Sequence, residues 1–245
     1  DRKSMTPPQL LQTSQQLLAL CRYLQRLEQE TGRLIYVCLE PEPGCVLDVA
    51  KDMIDLFKER LLPFDDDDIV RRYLRICHDV YHSAVMFESQ TDVLQRYQQL
   101  GIRVGKIQVS SAVRVNFGAL AEDARSDALN QLANFNEPRY LHQTSIRQAN
   151  GETSFYEDLH LALDTVNSPE QLTGTWSVHF HVPVYLDSLG LLGTSRSDIL
   201  ECFEVCKSMP DLKHYEVETY AWNVLPAEHQ VEDLSDGIAR EMNWV

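Results

Sequence analysis

Leucines recur at helical spacing through Pro7–Gln29 (PPQLLQTSQQLLALCRYLQRLEQ), and the paired prolines suit a helix start, so a first helix is expected there, ended by Gly32. The period then changes. Leu34–Glu40 (LIYVCLE) is a nearly continuous apolar run rich in β-branched residues, the pattern of a parallel strand buried on both faces. The turn Pro41–Gly44 stops it, and Val46–Leu61 returns to helical spacing. Tyr73–Asp79 (YLRICHD) and Val104–Ser110 (VGKIQVS) read as the second and third strands, with a helix between them over Thr91–Leu100 that ends at Gly101.

Further along, Gly118–Phe135 reads as an amphipathic helix, Arg139–Thr144 as a short segment, Ser145–Thr153 as a polar loop and Phe155–Thr165 as another helix. Trp176–Tyr185 (WSVHFHVPVY) alternates apolar residues with His179 and His181, which predicts a strand with one polar face. A helix over Ser197–Lys207 and a last strand over Lys213–Tyr220 (KHYEVETY) complete the pattern. Alternating strands and helices predict a parallel α/β architecture in a single domain over 1–245. About five strands are recognisable, fewer than the eight of a closed barrel.

Three of these strands end in ligand-type side chains: Glu40, then Asp79 with His82 three residues on, then Glu218. Active sites of parallel α/β folds lie at the C-terminal strand ends, so groups far apart in sequence converge there. A carboxylate and an imidazole at such an edge suit metal binding or proton transfer. The third strand offers the uncharged Gln108 where a fourth ligand is expected. Alternation puts Tyr36 and Cys38 on the face of Glu40, and Arg75 and Cys77 on that of Asp79. Arg75 is awkward on that face unless it reaches the opposite mouth. A slip of strand parity brings up Glu42, Glu216 and His214 instead. His142, His179, His181 and Arg147 are further candidates, the arginine for a substrate phosphate or carboxylate. Tyr81, Tyr220 and Trp222 flank the proposed site as an apolar wall. The acidic run Asp65–Asp68 lacks the alternation of a calcium loop and reads as solvated loop.

Charge narrows the partners. Against 22 basic residues stand 37 acidic ones, a net charge of -15 that repels polyanions, so nucleic acid is not the expected partner. No apolar run reaches membrane-spanning length, and the first residues lack a signal-peptide pattern. The six cysteines include no CxxC pair and are expected to be reduced and at least partly buried, which favours the cytoplasm.

LEPEPG around Glu40, CHDVYH, IQVSS and VET resemble the second half, about strands 5–8, of a xylose-isomerase-like (β/α)8 TIM barrel, the superfamily of sugar epimerases and endonuclease IV. ICHDVYHSAVMFE, KIQVSSAVRV, WSVHFHVPVYL and HYEVETYAWNVLP are similar to the EboE family of metabolite-traffic proteins. The resemblance implies that strands one to four lie upstream of Asp1. It also implies a cytoplasmic protein that works with other trafficking components on a secondary-metabolite precursor. On it, Glu40, Asp79, Gln108 and Glu218 match metal ligands, and His82 a metal or substrate contact. Gln108 stands where the family supplies His, and Tyr140 with His142 where the endonuclease branch has Asp-x-His. An oxygen-rich set favours manganese or magnesium, with zinc as the other option. The implied chemistry is isomerisation or epimerisation of a small polyol or related metabolite, with Glu40, Glu218 and His82 catalytic. The alternatives are a non-catalytic metabolite carrier and a metal-dependent phosphoester hydrolase.

Overall fold

In the computed structural model, which describes residues 5–64, 67–219 and 222–245 apart from the side chain of Glu228, helix α1 spans Pro7–Thr31. It buries Ser14, Leu18, Cys21 and Leu24, a single stripe at helical spacing, and ends at Gly32 with a left-handed φ of 69°. Strand β1 is only Val37–Leu39, half-buried, at the edge of its sheet. The apolar run around it therefore does not mark a strand covered on both faces. Helix α2 (Ala50–Asp55) begins four residues later than the pattern suggests and continues as a wide turn over Leu56–Leu61. Asp67 and Asp68 form the first turn of helix α3 (Asp67–Tyr73), where acidic groups complement the helix dipole, rather than a loop. Asp65 and Asp66 lie outside the described residues.

Strand β2 (Leu74–Asp79) is buried throughout and leads without a loop into helix α4 (Val80–Val85). Then come helix α5 (Gln90–Gln99) and strand β3 (Val104–Val109), both close to expectation. With β10 (Tyr215–Val217), these strands form one parallel sheet in the order β1-β2-β3-β10. Among the described residues this sheet does not close into a barrel. Paired positions place Cys38 beside Arg75, Cys77 beside Lys106, Asp79 beside Gln108, and Gln108 beside Glu216. One face is therefore polar and carries the candidate ligands at its C-terminal end. The other face supplies Leu74, Ile76, Ile107 and Val109 to a core shared with α1, α2, α5 and helix α8 (Arg196–Cys206).

The rest is a six-stranded antiparallel sheet that the helix-strand alternation does not anticipate. Strand β4 (Ser111–Asn116) continues β3 through Ser110, so one extended run leaves the parallel sheet and enters the second. Its neighbours are β7 (Thr175–Val182) and β9 (Leu192–Thr194), with β8 (Ser188–Leu189) at one edge and β5 (Thr144–Arg147) with β6 (Thr153–Tyr156) at the other. The stretch expected as a polar loop thus contributes to a hairpin, in which the β-branched and hydroxyl residues of TSIR are buried up to the exposed Arg147. The helix expected from Gly118 starts at Glu122 (α6, Glu122–Ala133), and the one expected from Phe155 shrinks to α7 (Leu159–Leu163). A second core, including Val113, Phe117, Leu132, Trp176 and Phe180, lies under this sheet. Arg114 ties the two halves together, donating to Asp198 at 2.8 Å and to the Ala84 carbonyl at 2.9 Å. Helix α9 (Leu234–Trp244) closes the described chain. The six cysteines form no disulfide among the described residues and are buried or partly buried, and no described helix is long and apolar enough to cross a membrane.

Glu88 reaches back to the start of α2, where the Ala50 N–H donates to its carboxylate at 3.1 and 3.3 Å. Burial raises its carboxyl pKa from 4.5 to about 7, more than the Ala50 bond lowers it, with Asp48 and Asp52 adding to the rise. Between these values the folded chain holds a proton that the unfolded chain has released, so this contribution to stability is complete below pH 4.5 and is lost as the pH rises through 7. Urea titrations of wild type and Glu88→Gln are expected to diverge across that window by about 2 kcal/mol in favour of the variant at the upper end. Parallel curves would show that Glu88 titrates normally.

Candidate metal centre

The four expected ligands meet where β3 passes into β4. Glu40 follows β1, Asp79 ends β2, Gln108 lies in β3 and Glu218 follows β10. The Gln108 amide Nε2 lies 3.1 Å from Glu40 Oε1 and 3.3 Å from Asp79 Oδ2, and also bonds Glu218 Oε2. Its Oε1 accepts from the Cys77 thiol at 3.0 Å. An amide nitrogen has two protons for these three carboxylates. It stands at the point on which they converge, as a cation would.

Asp79, His82 and Glu218 are fixed from behind. Asp79, 2% exposed, accepts from Tyr81 N at 2.8 Å and His82 N at 3.4 Å as the cap of α4, and from Ser110 Oγ at 2.8 Å. His82 therefore sits in the first turn of a buried helix rather than in an open turn. Its Nδ1 donates to the Pro41 carbonyl at 3.0 Å and lies 3.3 Å from Glu40 and 3.6 Å from Asp79. Burial disfavours the imidazolium, but Asp79 and Glu40 outweigh it and hold the pKa up to about 9. The Glu218 N–H donates to Val109 O at 3.1 Å, and its carbonyl accepts from His181 Nδ1 at 2.6 Å. The next residue, Thr219, donates to Glu241 Oε1 of α9 at 2.6 Å. Burial, reinforced by Asp79, raises the Glu218 carboxyl above its usual range.

Strand β7 brings two more imidazoles over the same place. The Tyr81 ring lies 4.6 Å from that of His179 and 4.1 Å from that of His181, and His82 stacks on His179 at 5.2 Å. Burial pushes His181 down to about 4 and His179 well below the usual imidazole range, so both rings are neutral. The Leu141 carbonyl is near enough to His179 to offset a little of that shift, yet neither ring nitrogen has a hydrogen-bond partner among the described residues. The expected polar face of this strand is thus a buried one.

Two ligand sets result. Single atoms of Glu40, Asp79 and His82 lie within 4.8 Å of one another, as do those of Glu42, His82 and His179. With Gln108 and Glu218 the first set is rich in oxygen, which suits a hard divalent cation; the second, with two imidazoles, suits zinc. Glu42, a neighbour of the chosen position in sequence, thereby joins the candidate ligands.

Other candidates lie elsewhere. His142 is behind β7, with Nδ1 on the His179 carbonyl at 3.0 Å and Nε2 3.3 Å from Glu137. Arg147 is exposed and stacks over Phe87, 4.4 Å from the ring centre. Glu216 pairs with Lys106, and the His214 ring faces Tyr36. Trp222 packs against Gly237 of α9, and Tyr220 lies outside the described residues. Sequence reasoning missed Ser110 and the stacking of Tyr81 on both histidines. The SS pair at the β3–β4 junction and the HxH on β7 were the available signals. Compared with protein-family models, curated proteins and solved structures, the chain matches none.

Proposed function

We propose that the chain is a divalent-cation-dependent enzyme of the isomerase or epimerase type, acting on a small polyol or related metabolite. The observation that carries the reading is the convergence of Glu40, Asp79 and Glu218 on the single amide of Gln108. Carboxylates so placed repel one another unless positive charge joins them, and manganese or magnesium fits their oxygen donors. A cation held by Glu40, Asp79 and Glu218, and by Gln108 once its amide turns its oxygen inward, would supply the positive charge that acidifies a proton beside a carbonyl. Glu218, whose half-buried carboxyl is raised above its usual range, and Glu40 are the pair that takes up and returns that proton. His82, charged near neutrality, donates to a substrate oxygen or holds the carboxylates in place. The resemblance to the EboE family extends the reading to secondary-metabolite precursor traffic in the cytoplasm, in a xylose-isomerase-like barrel completed by further strands.

A carrier that binds the metabolite without converting it is the second reading. Its support is Gln108 itself, whose amide already donates into the carboxylates at the point where a cation would stand. Metal analysis after equilibration with manganese and gel filtration separates the two. The enzyme reading expects about one equivalent per chain, lost in Glu40→Gln and in Glu218→Gln with folding intact by near-ultraviolet circular dichroism. Metal-free wild type that still binds a metabolite would sink it in favour of the carrier.

A further inference from the structure

Arg75 begins on the same sheet face as Asp79 but sits four residues earlier, at the opposite end of β2. It is 6% exposed, and its guanidinium makes no hydrogen bond or ion pair among the described residues. Its Nε is buried without a partner, and the group is held by stacking on Tyr36, 3.7 Å from the ring centre. The Tyr36 hydroxyl is anchored in turn on the Gly105 carbonyl at 3.2 Å. A buried charge left unpaired is costly, and burial lowers the guanidinium pKa accordingly.

Arg75 lines a cavity of about 380 Å³ at the N-terminal ends of β2 and β3, away from the carboxylates. Arg71 and Arg103 line it too, in a chain whose net charge is -15. Arg71 is committed, since it donates to the Leu100 carbonyl across Gly101, where a Cβ would stand 3.0 Å from its Nη1. Arg103 is exposed, and its side chain makes no hydrogen bond or ion pair among the described residues. Asp68 and Asp211 line it as well, so its lining carries three arginines against two carboxylates. That balance admits a small anion and disfavours a polyanion.

We propose that this cavity is a binding site for a small phosphate or carboxylate anion, received by Arg75 and by Arg103 at its rim. Guanidinium groups bind both oxyanions through paired N–H donors, and a planar group fixed by an aromatic ring is set in advance for that geometry. The site is independent of the metal reading, since no ligand of the carboxylate cluster lines it.

Thermal melts of the whole chain in sodium phosphate, in sodium acetate and in sodium chloride at matched ionic strength test it. The melting temperature is expected to climb with the logarithm of phosphate or acetate concentration and to stay flat in chloride. Whichever anion acts identifies the source. Arg103→Gln, an exposed change, is expected to weaken that response at least about tenfold in apparent affinity, while Arg33→Gln outside the cavity keeps it. Calorimetric titration with inorganic phosphate or acetate gives the same comparison for Arg75→Gln wherever that variant folds. A wild type indifferent to both anions, or an Arg103→Gln protein that responds as wild type does, would overturn the proposal. Glu218→Gln should respond like wild type, which keeps this outcome separate from that of the metal experiment.

Discussion

Gly105→Val is expected to unfold at a much lower urea concentration than wild type, with a loss of about 3 kcal/mol. The reason is space rather than backbone freedom. Between β2 and β3 the register passes from Ile76–Val104 to Cys77–Lys106, so Gly105 is an extra residue set in a bulge. A Cβ there would stand 2.6 Å from Cys38 Sγ, 2.8 Å from the Tyr36 ring and 2.9 Å from Arg75 Cβ. The last of these atoms is tied directly to the β2 backbone and cannot swing away. Two further methyl carbons would wedge β1 and β2 off β3 and undo the stacking of Arg75 on Tyr36. Gly193→Ala in β9 is the control, because its nearest neighbour, the Arg114 carbonyl, would lie at an ordinary 3.5 Å. Equal urea midpoints for wild type and Gly105→Val would mean that the strands part without cost.

Glu218→Gln should move stability and function in opposite directions. The variant keeps the side-chain volume but removes one of three carboxylates crowded around the Gln108 amide, where Asp79 and burial already push Glu218 toward its protonated form. In metal-free buffer it is expected to be more stable than wild type by about 1 kcal/mol, the common gain when a site kept for function is neutralised. Manganese should then raise the melting temperature of wild type and leave that of the variant unchanged, a loss of at least about a hundredfold in apparent affinity. The informative comparison is the crossing of the two melting curves on titration with metal. If the variant is less stable without metal, the carboxylates are not in conflict and the case for a cation weakens.

The sequence patterns that proved legible share one property: their periodicity is local. Pro7–Thr31, β2, β3, α5 and α8 each carry their own spacing and punctuation, and Glu40, Asp79, Gln108 and Glu218 follow from strand ends alone. What stayed hidden depends on partners distant in sequence. Helix α4 is buried on all sides, so VYHSAV has no polar face to betray a helix. Strand β4 alternates as SAVRVN, yet it is masked because it follows β3 without a turn. The hairpin of β5 and β6 reads as polar because Thr153 and Ser154 of β6 are exposed and the buried part of β5 carries the hydroxyls of Thr144 and Ser145. Glu42, His82 and His179 come together only where the turn after β1 meets α4 and β7, a contact no strand-parity argument contains.

The unbroken passage of β3 into β4 also dictates an order of assembly. After Ser110 the chain departs to build the whole antiparallel sheet before it returns with β10 to lie beside β3, so Gln108 and Glu218 meet across 110 residues. Closing so long a loop is slow and rewards the chain only at the end. During synthesis β1, β2 and β3 emerge first and wait with one edge open, and the carboxylate cluster lacks its third member until the returning strand arrives. Completion of the cluster is thus expected late in folding, and the same strand that finishes the sheet finishes the site.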